Sequence, residues 1–233
     1  MQGIILAGGK GTRLKPHTAE IPKPLVSIDN KPIIEYLLVR MKKGGITRVH
    51  IAVNHLAHLI KAELGDGRQL GLEIKYSLEK KPLSTVAPLK LIKDLDDNFI
   101  VANGDILTDI DFRKLYEHHL KSKAKLTVAT EKRLNKIDYG VITASPEGYV
   151  TSFREKPVYD FTVSMGIYVF SKSILDLVPD NEPFGFDHLM YKLLDINESI
   201  NTYPFKGYWM DIGRPDDYEQ AKKDIEKIKT LLD

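Results

Sequence analysis

"GIILAGGKGTRL", residues 3–14, decides how the rest of the chain is read. Its apolar start, Gly3 to Ala7, has the composition of a buried strand, and it empties into a loop carrying Gly8, Gly9 and Gly11 interleaved with Lys10, Thr12 and Arg13. Glycines let backbone N–H groups approach anionic oxygens, and a guanidinium fork such as that of Arg13 holds two oxygens at once. The loop therefore reads as a phosphate cradle. It is not a Walker A loop, because the first glycine of that pattern is replaced by Ile4 and Gly11 follows Lys10 where serine or threonine is needed. Nor is it a dinucleotide fingerprint, since Leu14 stands in place of the third glycine. Both of those loops feed straight into a helix, whereas Pro16, Pro22 and Pro24 interrupt this one. The expectation is a structureless loop of about twenty residues carrying Lys10, Arg13, Lys15 and Lys23, closing as a lid over a triphosphate.

Outward from that loop the pattern alternates. Residues 3–7, 47–53, 72–78, 98–104 and 125–130 read as strands. Residues 31–42, 55–64, 86–93 and 112–121 read as helices, the last after Asp111 as N-cap. A βαβα series makes a mostly parallel, doubly wound sheet the economical topology. After about residue 137 the period changes. A hairpin over 139–157 turns at Ser145-Pro146-Glu147-Gly148, a strand covers 162–171, and helices start near Ser171 and Asp187. Strand-like pieces at 200–205 and 208–212 precede one long charged helix from Pro215, which either caps the domain or packs on a second copy as a homodimer. No linker or repeat divides the 233 residues. The reading is one domain over 1–233, with a nucleotide-binding half to about 136 and a second half from about 137.

Composition excludes several classes. Cysteine is absent, so disulfides, thiolate metal sites and cysteine nucleophiles are ruled out. A net charge of +2 with interleaved signs gives no basic stripe, so no nucleic-acid partner is expected. No apolar run reaches the ~20 residues of a membrane span and the N-terminus lacks a leader pattern, so no membrane partner and a cytoplasmic location are expected. The seven histidines do not cluster; His55 and His58, three apart, lack an acidic neighbour and are read as no metal site.

"LAGGKGTRLKPHTAEIPKPL" (6–25) resembles the signature of the sugar-1-phosphate nucleotidyltransferases. "NKPIIEYLL" (30–38), "EKKPLSTVAPL" (79–89), "VANGDILTDID" (101–111), "YGVI" (139–142), "FREKP" (153–157), "MGIYVF" (165–170) and "YWMDIGRPDDY" (208–218) follow in that family's order across nearly the whole chain. The resemblance implies an α/β, Rossmann-like doubly wound mixed sheet with an inserted antiparallel sugar-binding lobe, the nucleotide-diphospho-sugar transferase fold. It implies a Mg2+-dependent transfer in which a sugar 1-phosphate attacks a nucleoside triphosphate and pyrophosphate leaves. The run from "NGDILTDID" to "YWMDIGRPDDY" is most similar to the mannose-1-phosphate guanylyltransferase branch and its heptose and aminosugar relatives. The stretch from "NHLAHLIKAELGDG" to "YSLEKKPL" is equally similar to uridylyltransferases, and thymidylyltransferases stay open. A non-catalytic nucleotide-sugar-binding homologue is the competing class.

Such a transfer needs no serine, cysteine or general base, because its nucleophile is already an anion; it needs cations, amides and a metal to position two repelling anions. Asp105 and Asp211 each follow an apolar strand, at the end where open α/β sheets keep ligands. By resemblance these two carboxylates hold Mg2+, a hard cation that keeps several waters. Arg13, Lys23 and Lys156 complete the implied catalytic set, with Lys23 on the triphosphate and Lys156 on the sugar phosphate. The implied nucleotide contacts are Leu6, Ala7, Gly8, Gly9, Gly11 and Thr12 of the loop, Pro82, Leu83, Ser84 and Thr85, and Asn103 with Gly104. The implied sugar contacts are Gly140, Glu155, Lys156, Ser164 and Gly166.

The chain also departs from the family. "PLSTVA" has Ser84 and Ala87 where glycines are usual and Val86 for alanine, crowding the expected base site; "SMG" puts Ser164 and Met165 where an amide and a small residue meet the sugar. Arg214 replaces a usual threonine and brings a cation toward the site, while Trp209 is read as packing beside it. No left-handed helical domain follows the catalytic part, so acyltransferase activity is not expected.

Overall fold

Seven strands pair into one sheet, and two adjacent residues of an interior strand show why it is covered on both sides. The computed structural model describes residues 1–9, 11–18, 20–54 and 56–232, so the readings on Lys10 and His55 lie outside the described residues. In β1 (Gln2–Ala7), Ile4 and Ile5 are both fully buried, yet they enter different core clusters, since successive strand side chains point to opposite faces.

The chain then makes a short ladder, β2 (Ser27–Ile28) with β3 (Lys31–Pro32), before α1 (Ile33–Lys43). Crossovers follow through β4 (Arg48–Val53), α2 (Ala57–Leu64) and β5 (Glu73–Leu78), and then β6 (Asn98–Asn103), β7 (Ile106–Thr108) and α3 (Phe112–Ser122). Asp111 caps α3, its carboxylate accepting the Arg113 and Lys114 N–H groups at 3.0 and 3.1 Å. Two long strands, β8 (Leu126–Lys136) and β11 (Val158–Ser171), enclose the hairpin β9 (Val141–Ala144) and β10 (Val150–Arg154). α4 (Phe186–Asp195), β12 (Ile200–Pro204), β13 (Trp209–Asp211), α5 (Pro215–Lys223) and α6 (Ile225–Leu232) finish the chain.

Sheet order is β12-β8-β11-β6-β1-β4-β5. All neighbours are parallel except β11, which runs against both β8 and β6. The inner halves of β8 and β11 are buried in this sheet, while their outer halves leave it together, Val158–Val163 pairing with Lys136–Glu131. With the β9–β10 hairpin they form the antiparallel lobe. No helix among the described residues is long and apolar enough to cross a membrane.

Four local expectations are corrected. Residues 86–93 make only a 3-10 helix, Ala87–Leu91, whose Pro88 cannot donate to a continuing helix. The helix expected from Ser171 is likewise a 3-10 piece, Lys172–Leu177, ending where Val178 precedes a proline. The long terminal helix breaks at Asp224, and α6 buries Ile228 beside Leu14 and Ile33, so the segment caps the domain. The loop after β1 is not structureless. It contains 3-10 turns at Thr12–Leu14 and Lys23–Leu25, and its fully buried Leu14 anchors it to that same cluster.

Candidate functional site

The carboxyl ends of β1, β4, β5 and β6 open on a cavity of about 630 Å³, at the point where the strands on either side of β1 diverge. A nucleotide fits a space of that size. From β1 and its loop come Leu6, Ala7, Gly8, Gly9, Gly11, Thr12 and Arg13; Lys23 and Pro24 close the far side. Gly11 holds φ +62°, and a Cβ there would come 3.2 Å from that of Lys23, so glycine lets the loop double back on its own lysine. Thr18 secures this turn by donating to the Gly11 carbonyl at 2.7 Å.

Pro82, Ser84, Thr85 and Asn103 also line the cavity, whereas Leu83 and Gly104 stand behind its wall. The Leu83 side chain is buried in the core and Gly104 donates its N–H to the Leu6 carbonyl at 3.0 Å. Ser84 keeps the backbone a glycine would have, at φ +68°. Val86 and Ala87 do not crowd the cavity as expected: both turn into the core beside Phe99 and Phe170, so the volume they add is core volume.

Behind the glycines sits a residue that the motif at 79–89 contains but to which the sequence reading gave no role. Glu79, the first residue after β5, is buried at 7% exposure and lines the cavity. Its Oε2 accepts the Leu83 N–H at 3.1 Å, and Oε1 lies where a Cβ on Gly8 would come within 2.6 Å. Burial raises its carboxyl above the ordinary range, against the hydrogen bonds from Leu83 and Asn54. Asn54 and Gly213, each inside a quoted string, are the other lining residues to which the sequence reading gave no role. All three follow a strand carboxyl end at one residue or two, and that position was the available signal.

At the cavity mouth Asp105 and Asp211 face each other across Lys23. The Lys23 ammonium pairs directly with Asp105 Oδ2 and lies 3.7 Å from Asp211 Oδ1. β7 and β13 position these carboxylates by pairing antiparallel, Asp211 opposite Ile106, while Ile212 N–H donates to the Asp105 carbonyl at 3.0 Å. Burial, and next the Asp105 charge, push the Asp211 carboxyl up; Lys23 and Arg13 pull it down. Asp105 Oδ1 is buried with no hydrogen-bond partner among the described residues. Two converging carboxylates, one with an unsatisfied buried oxygen, suit a hard divalent cation that takes its remaining ligands from water and phosphate. Among the described residues no group of three or more His, Asp or Glu side chains converges, so this is not an all-protein cage.

The lobe side is organised separately. Ser164 Oγ donates to the Tyr168 hydroxyl at 3.2 Å and accepts the Gly166 N–H at 3.3 Å. Gly166, at φ +71°, abuts Asn103, whose Nδ2 would lie 2.6 Å from a Cβ there. The lobe strand thus presses on a residue of the cavity wall. Met165 does not reach toward a sugar as expected; its side chain is buried in the main core, and its carbonyl accepts the Trp209 Nε1–H at 3.0 Å. Glu155 and Lys156 lie outside the cavity, exposed on the lobe. Gly140 gives Glu155 room, since a Cβ there would come 3.2 Å from its Oε2, and Lys156 is held at φ +43°. Arg214 starts α5 as an exposed N-cap, its N–H donating to Asp217 at 2.8 Å; the cations acting on Asp211 are Lys23 and Arg13 instead.

Comparison with known proteins gives concordant matches. A family model described as nucleotidyl transferase matches residues 2–228. The chain is 35% identical over 227 residues to a mannose-1-phosphate guanyltransferase of Yarrowia lipolytica, covering 94% of this chain and 62% of that protein. The chain thus spans about three fifths of the length of that relative. It is 32% identical to a D-glycero-alpha-D-manno-heptose 1-phosphate guanylyltransferase of Aneurinibacillus thermoaerophilus, covering 97% of this chain and 99% of that one. The crystal structure of HddC from Yersinia pseudotuberculosis complexed with GMP-PN matches with a TM-score of 0.74 and 27% identity, over 96% of this chain and 99% of that chain.

Proposed function

The chain belongs to the nucleotidyl transferase family, and from that premise we propose that it transfers the guanylyl group of GTP to a sugar 1-phosphate of the mannose or manno-heptose type, releasing pyrophosphate, in the cytoplasm. The observation that carries transfer, as opposed to binding alone, is the Asp105–Lys23–Asp211 cluster at the mouth of a glycine-walled cavity. A pure binding module has no use for two facing carboxylates that raise each other's energy.

The reaction joins an oxygen of the sugar phosphate to the α-phosphorus of the nucleotide and breaks its bond to pyrophosphate. Arg13 and Lys23, with the N–H groups of Gly8, Gly9 and Gly11, hold the triphosphate and neutralise the departing pyrophosphate. Asp105 and Asp211 would hold Mg2+, which when bound supplies charge neutralisation between the two phosphates. Lys156 and Glu155, carried by the lobe, engage the sugar phosphate and its hydroxyls.

Glu79 favours guanine. Guanine presents two adjacent donors, N1–H and the 2-amino group, toward the acceptor-only Oε1 that Glu79 keeps beside Gly8 while its Oε2 takes the Leu83 N–H; uracil and thymine offer one donor between two acceptors. The test is pyrophosphate release by the purified chain from GTP, UTP, dTTP, ATP and CTP against a panel of sugar 1-phosphates, with and without Mg2+. GTP with a manno-configured sugar phosphate is the expected pair. Preference for UTP or dTTP overturns the base assignment, and release from no pair overturns the transferase reading.

A further inference from the structure

The inner strands of the lobe carry a polar pair that the proposed reaction leaves unused. Glu131 and Arg133 lie two apart on β8 and therefore on one face of it, opposite Val163 and Phe161 of β11. The Arg133 guanidinium stacks over the Trp209 indole, 4.8 Å from its centroid. Trp209 and Asp211 share one face of β13, so Arg133 sits about 7 Å along that strand from the cavity mouth. The Trp209 indole is fixed from behind by the Met165 carbonyl, next to the Gly166 that abuts Asn103. An unbroken line of contacts thus joins the cavity wall to Glu131.

Glu131 itself is poorly satisfied. Its side chain is 19% exposed, although the strand beyond it is open to solvent. Arg133 Nε lies 2.8 Å from Glu131 Oε2, but its N–H is not directed at that oxygen, which is buried with no hydrogen-bond partner among the described residues. A buried, charged acceptor without a donor is costly unless something brings one. Its neighbour is cationic, so the pair is neutral overall and does not call for a charged ligand.

Resting on the proposed function, we infer that Glu131 reads the sugar: it accepts a hydrogen bond from a hydroxyl on the side of the ring remote from the 1-phosphate. Arg133 is a positioning residue, holding Glu131 through its charge and Trp209 through its stacked plane. A sugar 1-phosphate with its phosphate at the cavity mouth and its ring lying along β13 would bring the ring's remote edge to this pair. Glu131 accepts only, so a carboxylate at that edge is disfavoured and a deoxy sugar leaves Glu131 unpaired.

The experiment measures kinetics of the full chain with mannose 1-phosphate and its 4-deoxy and 6-deoxy analogues, GTP being saturating and then varied. Wild-type protein is expected to disfavour one analogue by roughly 10- to 100-fold in kcat/KM. Glu131→Ala raises KM for the sugar phosphate by a similar factor, abolishes that discrimination and leaves KM for GTP unchanged. Glu131→Gln restores part of it through its remaining acceptor; Arg133→Met raises the sugar KM. A merely structural pair would move KM for both substrates, or neither, and keep the discrimination. If Glu131→Ala does not fold, Glu131→Gln decides, and wild-type discrimination and sugar KM in it overturn the inference. Turnover of wild type on no sugar 1-phosphate overturns the parent reading, and this inference with it.

Discussion

Replacing Glu79 by glutamine preserves the shape of the cavity wall and reverses its hydrogen-bonding character. Glu79 Oε2 is committed to the Leu83 N–H at 3.1 Å, so in the Glu79→Gln protein the amide oxygen keeps that bond and the NH2 group takes the place of Oε1 beside Gly8. The base then meets a donor where the carboxylate offered an acceptor. Guanine loses a charge-assisted hydrogen bond and faces a like donor, a cost of about 1.5–3 kcal/mol, or roughly 10- to 150-fold in kcat/KM for GTP. A pyrimidine carbonyl pairs with the new NH2, so kcat/KM for UTP or dTTP rises or holds, and the ratio of the two specificities moves by at least that factor. The assay is initial-rate pyrophosphate release with each triphosphate at fixed sugar phosphate, alongside thermal melting to confirm folding. A Glu79→Gln protein with kcat/KM for GTP within about twofold of wild type would refute the base-reading role.

Other outcomes follow from the same geometry. Asp211→Asn removes one of two repelling carboxylates, so its Tm should hold or rise, whereas Asp105→Asn also gives up the direct ion pair with Lys23 and its Tm should not rise; in each, turnover falls at least ~100-fold, the size of a lost electrostatic contact, and Mg2+-dependent turnover retained in both contradicts the site. In Asp105→Asn the Asp211 carboxyl moves down while staying above its ordinary range, because burial, the larger cause of its rise, persists and only the facing charge is gone, and a 13C NMR titration of the side-chain carboxyl detects this. Ser84→Gly relieves a left-handed serine at φ +68°, stabilising the fold by about 0.5–1 kcal/mol and raising Tm by roughly 1–4 °C; a lower Tm counts against strain at that turn. His119 is buried among Thr127, Asn98 and Ser171, and burial, then His118, lowers its pKa from 6.5 to about 4. The unfolded chain therefore binds that proton more readily, and stability is full above pH 6.5 and lost as pH falls toward 4, by on the order of 2 kcal/mol after allowance for solvent screening. Urea unfolding of His119→Gln across that window should show a flatter profile.

The parts of the fold legible in advance are those where one local rule governs. Strand periodicity located β1, β4, β5 and β6 to within a residue or two, because each is an apolar run bounded by turn residues. Asp111 was readable as a cap since an N-cap aspartate acts within three residues of itself. The misreadings lie where packing at a distance decides. Residues 86–93 and 171–177 carry helical spacing, but each is too short to nucleate unaided and settles for 3-10 geometry beside a proline. The loop after β1 looked unstructured from its prolines and glycines, yet what folds it is Leu14, buried against Ile228 more than two hundred residues away in sequence.

The site divides along the same line. Gly8, Gly9 and Gly11 were visible as a recognisable string, two of them at positions where a side chain would clash or strain the backbone, and Asp105 and Asp211 through the resemblance of the strings around them. Glu79 carries no such mark: in "SLEKKPL" it is one charged residue among several, and only burial distinguishes it from Lys80 and Lys81, which are exposed. Burial here is made by others. Gly8 brings backbone against its carboxylate, Leu83 turns its N–H back onto Oε2, and Asn54 supplies a further hydrogen bond. A buried carboxylate of this kind is a property of three strand ends converging. The glycines and aspartates of the site can therefore be found by motif, while the roles proposed for Glu79 toward the base and Glu131 toward the sugar could be argued only once the sheet was assembled.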